Sequence, residues 1–499
     1  MELQFEKKPR HCLRQSGWQN QNVEQTLELR APEELVGNCE ILGVWGQLLI
    51  RGKEWRGNEA SADGGVICHV LLSGTAGYEK ISVEGWMPFQ FRWDLKNGGQ
   101  DGSVHINCRI GNIEARMVGS EKIMIRAQIS AFAQKLEPDT IMEYVPGDIP
   151  DDVQLLREVY PLRLAMEAGE KELSFDEDLI MPPEKGNIEK IITFSMRPKI
   201  PEMRLMTDKL VYRGSANLHM VYLAADGHVK TYDSELPISQ YIQLDREYGD
   251  TASVRIDPIV TNMELEKLDD GRIHVSCGFV SQYLITDTME YPVVADAYSP
   301  LRNVEMKKQP VQIPVVLDEN IDDVTADVGF SLHASEIVDC RVCVEHPRIR
   351  RGTDEMTLDM EGSAQVLYYN NEGSLECVQS GWEMSSVLTS DGGNQIIAKT
   401  ITEQKPILLE AMNGLNVQIP LQNSWTVMGA TGPETISDLS LSEKKEMEED
   451  RPSLILRRVG ATSLWEIAKN CGSTVSKIKD ANHLEGDPNP DQMLLIPIQ

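Results

Sequence analysis

Up to about residue 430, apolar residues fall into short runs bounded by Gly, Pro, Asn and Asp. "VICHVLL" from Val66, "LHMVYL" from Leu218 and "AQVLYY" from Ala364 are rich in β-branched and aromatic residues, which suit a pleated, packed surface. "KISVEGW" from Lys80 and "VKTYDSEL" from Val229 alternate in polarity, as half-buried strands do. Between such pairs lie turn residues: Asp226–Gly227 and Glu372–Gly373 supply the positive φ that a hairpin needs. "VHINCRI" from Val104 and "IMIRAQI" from Ile123 add two more strands.

The pattern recurs. "HVLLSGTAGYEKISVEGWMPF" (69–89), "HMVYLAADGHVKTYDSELPIS" (219–239) and "QVLYYNNEGSLECVQSGWEMS" (365–385) align without a gap. Gly77, Gly227 and Gly373 share one column, Trp86, Leu236 and Trp382 a second, and Leu72, Tyr222 and Tyr368 a third. The same shift pairs "VHINCRIGNIEAR" with "VRIDPIVTNMELE" from Val254, and "KIMIRAQIS" with "RIHVSCGFV" from Arg272. The sequence therefore predicts a mainly β chain of tandem units at 1–145, 150–300 and, more divergent, 305–430. Each is a β-sandwich or a small open barrel; the pattern does not separate the two. Residues 431–452, with few large apolar side chains and an excess of acid, are expected to form a flexible linker.

The last segment, 453–499, changes period. "LILRR" is a strand, after which Leu464, Ile467, Ala468 and Cys471 recur at helical spacing. Ser463 with Glu466 is a capping box, Gly472 ends that helix, and Thr474 caps a second carrying Val475, Ile478 and Ala481 inward. "MLLIPI" from Met493 closes a βααβ unit. This segment resembles a LysM domain: Leu464, Trp465, Ile467 and Ala468 match the family's first-helix run. Asn482 matches the end of its second helix, and Gln492, Leu494, Ile496 and Pro497 its closing strand. Where the family has Gly-Asp-Thr this chain has Ala461, Thr462 and Ser463, and Asp491 stands in place of Gly.

With the tandem β units, the whole organisation is similar to the clostridial SipL family, which joins SPOCS repeats to a C-terminal LysM domain. The entry "TLELRAPEELVGNCEILGVWGQLLIRG" from Thr26 carries the SPOCS part of the resemblance, and "PVVLDENIDDVTADVGFSLHAS" from Pro314 does so more faintly. The resemblance implies a spore-coat morphogenetic protein, cytoplasmic in the mother cell and placed at the forespore surface. It implies a SpoIVA-like coat protein as partner of the LysM domain. The other partner it implies is peptidoglycan or N-acetylglucosamine oligomers, read by the groove loops. The residues so implicated are Gly460, Ala461, Thr462, Ser463, Trp465, Asn482, Leu484, Pro490 and Asp491.

Composition narrows the picture. The 499 residues carry a net charge of −30, which repels phosphate backbones and anionic lipid, so nucleic acid is disfavoured as a partner. Residues 453–499 hold five Lys or Arg and five Asp or Glu, so the module is neutral beside an acidic scaffold and reads as a recognition head on a tether. Trp465, beside the inward Leu464, is expected to be partly exposed and open to a partner; its alternative is to fold down over the sheet edge. The N-terminus has no signal-peptide core, and no run of about 18 apolar residues suggests membrane insertion. The nine scattered cysteines fit free thiols in a reducing compartment. No phosphate loop, zincin or nucleophile-elbow motif occurs, so no catalytic residue and no cofactor is implied. Cys340 and Cys343 form a lone CxxC, half of what a structural zinc needs, and are expected to be structural thiols. His69 and His219 share a repeat column that holds Gln365 in the third copy, which reads as a recurring strand position rather than a catalytic one.

Overall fold

A computed structural model describes residues 2–498 apart from 38, 75–79, 96–101, 353–354, 389–394, 403, 413, 446–451, 461, 487 and 490. The first six strands are β1 (Glu2–Arg30), β2 (Cys39–Arg56), β3 (Glu59–Gly74), β4 (Lys80–Asp94), β5 (Ser103–Val118) and β6 (Lys122–Pro146). Next come β7 (Gln154–Leu179), β8 (Ile188–Ala224), β9 (Val229–Tyr248), β10 (Ser253–Lys267), β11 (Ile273–Tyr298) and β12 (Val304–Pro310). A third group holds β13 (Ile313–Phe330), β14 (Ala334–Val344), β15 (Arg348–Arg351), β16 (Met356–Asn370), β17 (Leu375–Leu388), β18 (Gln395–Ile401), β19 (Ile407–Ala411) and β20 (Gly414–Thr431). The chain ends with β21 (Glu434–Leu441), β22 (Leu454–Arg458), α1 (Leu464–Cys471), α2 (Val475–Asn482) and β23 (Met493–Pro497).

One layout occurs three times. In the first unit β1–β6–β5 form one antiparallel sheet and β2–β3–β4 the other. In the second, β7–β11–β10 make the first sheet. There β8 supplies two strands of the second sheet: Ala225 donates to the Asn187 carbonyl at 2.9 Å, so its halves run side by side, and β9 adds the third. In the third, β13–β20–β18 face β14–β16–β17, with β15 and β19 as short additions. The turns after β8 and β16 use Gly227 at φ 81 and Gly373 at φ 78, where a Cβ would be strained; Gly77 lies outside the described residues. Period-two burial builds each core. On β20, Leu415, Val417, Ile419, Leu421, Trp425 and Val427 all face inward.

The central hairpin strands depart from that alternation. On β3 the ten residues from Gly64 to Ser73 are all buried, on both faces of the sheet. The outward set is covered by the other two units. Leu71, Val221 and Leu367, which occupy one column of the sequence repeat, meet in a shared apolar cluster with Trp45, Ile192 and Tyr369. The units thus close around a pseudo-threefold centre. Polar contacts tie each pair. Gln282 exchanges both its amide bonds with the Ile106 backbone, at 2.8 and 2.9 Å. Ser363 donates to the Gly111 carbonyl at 3.0 Å, and Arg163 pairs with Glu319 at 2.8 Å. At the far end, the long ladders β1–β6 and β7–β11 converge with β13 over Cys12, Ile141, Leu162, Tyr291 and Ile313.

The expectation of a flexible linker over 431–452 does not hold for 434–441. These residues form β21, paired with Glu2–Gln4 of β1 on one side and with β12 on the other. Ile436, Leu439 and Leu441 bury themselves against Leu3, Phe5, Val153 and Val294. A short strand with three anchors in an acidic stretch falls below the composition signal that marks a strand.

Leu367→Ala, at the centre shared by three units, should lower stability by about 2–5 kcal/mol, the usual range for emptying a closed apolar site. Denaturant unfolding monitored on the whole scaffold checks this; a loss confined to the third unit would contradict the shared centre.

Candidate functional site

The terminal module packs its helices on one face of the β22–β23 hairpin, around Val459, Leu464, Ile467, Ala468, Ile478, Leu494 and Ile496. Ser463 and Glu466 form the reciprocal cap that their spacing predicts: the Glu466 amide donates to Ser463 Oγ, and the Ser463 amide to Glu466 Oε2, each at 3.2 Å. Gly472 ends α1 at φ 66, and Thr474 Oγ1 accepts from the Lys477 amide.

Two loops, around residues 459–462 and 489–492, meet at one end of the module. Val459 donates to the Gln492 carbonyl at 2.8 Å and Asp491 returns a bond to the Val459 carbonyl at 3.1 Å, holding the loops together. Gly460 is exposed, with nothing near the position a Cβ would take. Thr462 is half-buried and Ser463 exposed. Asp491 sits at φ 66, a left-handed position that Asp tolerates better than most residues and that explains a Gly there in the resembling family. Leu484 is half-buried and packs on the module core. Ala461 and Pro490 lie outside the described residues. Asn482 is used internally: its amide nitrogen donates to the Ile478 and Leu495 carbonyls at 2.7 and 2.6 Å, and its oxygen accepts from the Leu495 amide at 2.8 Å. It mimics a strand neighbour and welds α2 to β23.

Trp465 is the main departure from expectation. It is half-buried, which fits the partial exposure expected of it, but it is engaged rather than open to a partner. Its indole N–H donates to Asp296 Oδ2 at 2.7 Å, and the Tyr298 ring meets it edge-on at 4.8 Å. Both partners sit at the end of β11, some 170 residues upstream, where periodicity carries no signal. The module is docked on the scaffold rather than held away from it.

The other sequence candidates fall into structural roles. His219 lies between Asp233 at 2.7 Å and Asp339 at 3.1 Å; burial opposes its charge, but the two carboxylates outweigh that and raise its pKa. His69 is buried, its Nε2 3.2 Å from Glu84. Burial pushes the Cys340 thiol up to about 12 and raises Cys343, which disfavours the thiolate that metals and disulfide exchange need. Among the described residues, no cluster of His, Cys, Asp and Glu could hold a metal ion.

One cleft escaped the sequence reading. Between the first and third units, Gly111, Asn112 and Gln128 face Glu345, Glu361, Gln379 and Glu383. Burial, then the charge of Glu361 and a hydrogen bond with it, push Glu345 up to about 7, although Asn22 donates to it and Arg348 lies 3.6 Å away. The β14–β16–β17 sheet brings these carboxyls together, and closure of the first unit over them buries Glu345.

Residues 187–268 match the SipL, SPOCS domain family and residues 463–497 the LysM domain family. No curated protein and no solved structure matches the chain. The SPOCS match runs from β8 to the end of β10, and the LysM match from the cap of α1 through β23. The chain carries a SipL-type SPOCS domain and a C-terminal LysM domain, a pairing that marks a protein associated with the spore coat in sporulation and equipped with a peptidoglycan-binding type of module. No described helix is long and apolar enough to cross a membrane.

Two outcomes are expected. A group whose pKa rises on folding stabilises fully below its unfolded value and loses that contribution as pH climbs through the folded one. Glu345 therefore helps at pH 4.5 and has lost its contribution above about 7. Glu345→Gln should flatten the fall in melting temperature between those limits; parallel wild-type and variant curves would contradict it. Asn482→Ala leaves the Leu495 amide and carbonyl without partners and should destabilise the module by about 1–3 kcal/mol. Hydrogen exchange at Ile478 and Leu495 reads this; unchanged protection with lost partner binding would make Asn482 a contact residue instead.

Proposed function

We propose that the chain is a non-enzymatic assembly factor of the spore coat. Its LysM domain binds a SpoIVA-like protein of the coat basement layer, and its β units contact further coat components, at the forespore surface on the mother-cell side. The single observation that supports protein rather than glycan as the LysM ligand is the engagement of Trp465 with Asp296 and Tyr298, a carboxylate and a phenol from a protein strand. An aromatic flanked by a cation is chemistry that recurs at protein interfaces. The closure of the three units supports the scaffold role: a shared apolar centre and buried polar groups hold them together.

A second reading rests on these two loops of the LysM domain. Gly460 leaves its backbone approachable, and the loops are tied at a fixed separation, which suits backbone recognition of N-acetylglucosamine polymers.

Full-length chain, and chain ending at residue 452, would be tested on an immobilised SpoIVA-like coat protein and on purified peptidoglycan. Capture of the full-length chain alone by the coat protein is the expected result. Retention on peptidoglycan without coat-protein capture reverses the order of the two readings.

A further inference from the structure

The contact between the LysM domain and the scaffold is built from few groups, each with a definite geometry. Trp465 and Lys469 are four residues apart on α1 and so share a face. Both donate to one carboxylate: Trp465 Nε1 to Asp296 Oδ2 at 2.7 Å, and Lys469 Nζ to the two Asp296 oxygens at 2.7 and 2.9 Å. Two residues on along β11, and therefore on the same side of the strand, Tyr298 sets its ring against Trp465 and donates its hydroxyl to the Ser473 carbonyl at 3.1 Å. Tyr298 is 5% exposed and packs with Leu464, Ile467 and Ala468 as if it belonged to the module's own core. Just beyond, Asp152 accepts from Ser299 and from Arg302, both at 2.9 Å, fixing where the strand ends. The receiving surface consists of α1 and the α1–α2 turn, not of the loops around residues 459–462 and 489–492.

We propose that this α1 face is a protein-binding site for an extended strand end carrying Asp-x-Tyr. Asp296–Tyr298 of the same chain occupies it at rest, and an external partner reaches Trp465 and Lys469 by presenting a competing carboxylate-x-aromatic segment. The proposal rests on the reading of the LysM domain as a protein-binding module and assigns the chemistry of its ligand. The occupancy is exchangeable. Lys469 keeps more than a third of its side chain in solvent, and a solvated ion pair holds weakly. The internal segment competes mainly because it is covalently connected, at an effective concentration on the order of millimolar. A partner that adds contacts to its neighbours, and so binds more tightly than that concentration, displaces it.

The test uses the full chain and the variants Asp296→Lys, Lys469→Glu, the double variant, and Asp296→Asn as a change that keeps the shape. Amide exchange of residues 464–473 should speed up at least tenfold in either charge variant, less in Asp296→Asn, and return toward wild type in the double variant. A peptide of residues 290–300 displayed on a sensor surface should then capture the Asp296→Lys chain at least tenfold better than the wild type, whose site is filled. The same peptide with Asp296→Asn and Tyr298→Ala should capture neither. Exchange in α1 that ignores Asp296→Lys overturns the proposal, as does an Asp296→Lys chain that fails to bind the peptide. Neither readout involves a coat protein: if both come out as expected while the coat protein is not captured, the site stands and the coat partner falls.

Discussion

The structure depends on burying both faces of the central hairpin sheets. A sandwich ordinarily buries one face of each sheet and shows the other to water. Here the run around Val66 to Leu72 has apolar residues on both sides, so a unit taken alone would leave Leu71, Val221 or Leu367 and their neighbours in solvent. Three units closing on one another remove that surface at a single point. From this constraint follow the buried polar links, such as Gln282 to Ile106 and His219 to Asp339. Groups that sit between sheets without water must find partners on whichever unit faces them. Units of this kind are parts of one body rather than beads on a string.

The sequence revealed what is local. Turn glycines, alternating strands and the three aligned hairpin segments all carried short-range patterns, and the LysM caps were legible down to the reciprocal Ser463–Glu466 pair. The unalternating stretch "VICHVLL" also held a clue to closure, since a strand buried on both faces loses its polar positions. It did not say what would cover the second face. β21 was hidden because three anchors among acids do not stand out from a solvated charge run; its burial is supplied by Leu3 and Phe5, which begin the chain.

The candidate site divides the same way. The residues that make the LysM core were readable because they interact within about twenty positions of one another. Trp465 was singled out, but its ligand was not, for Asp296 is an acid among 78 acidic residues and only the fold brings it near. Asn482 was picked for a place in a family motif and proves to hold α2 to the closing strand. Glu345 had no sequence signature, because its altered acidity comes from burial against Glu361 and the first unit.

The pairing of Glu2–Gln4 with residues 438–440 has a bearing on the order of folding. This ladder closes a loop of more than four hundred residues, and contacts of that span are slow to form. The first unit can assemble its sandwich from strands close in sequence, whereas residues 2–4 must wait for β21, so folding finishes with a stitch between distant segments.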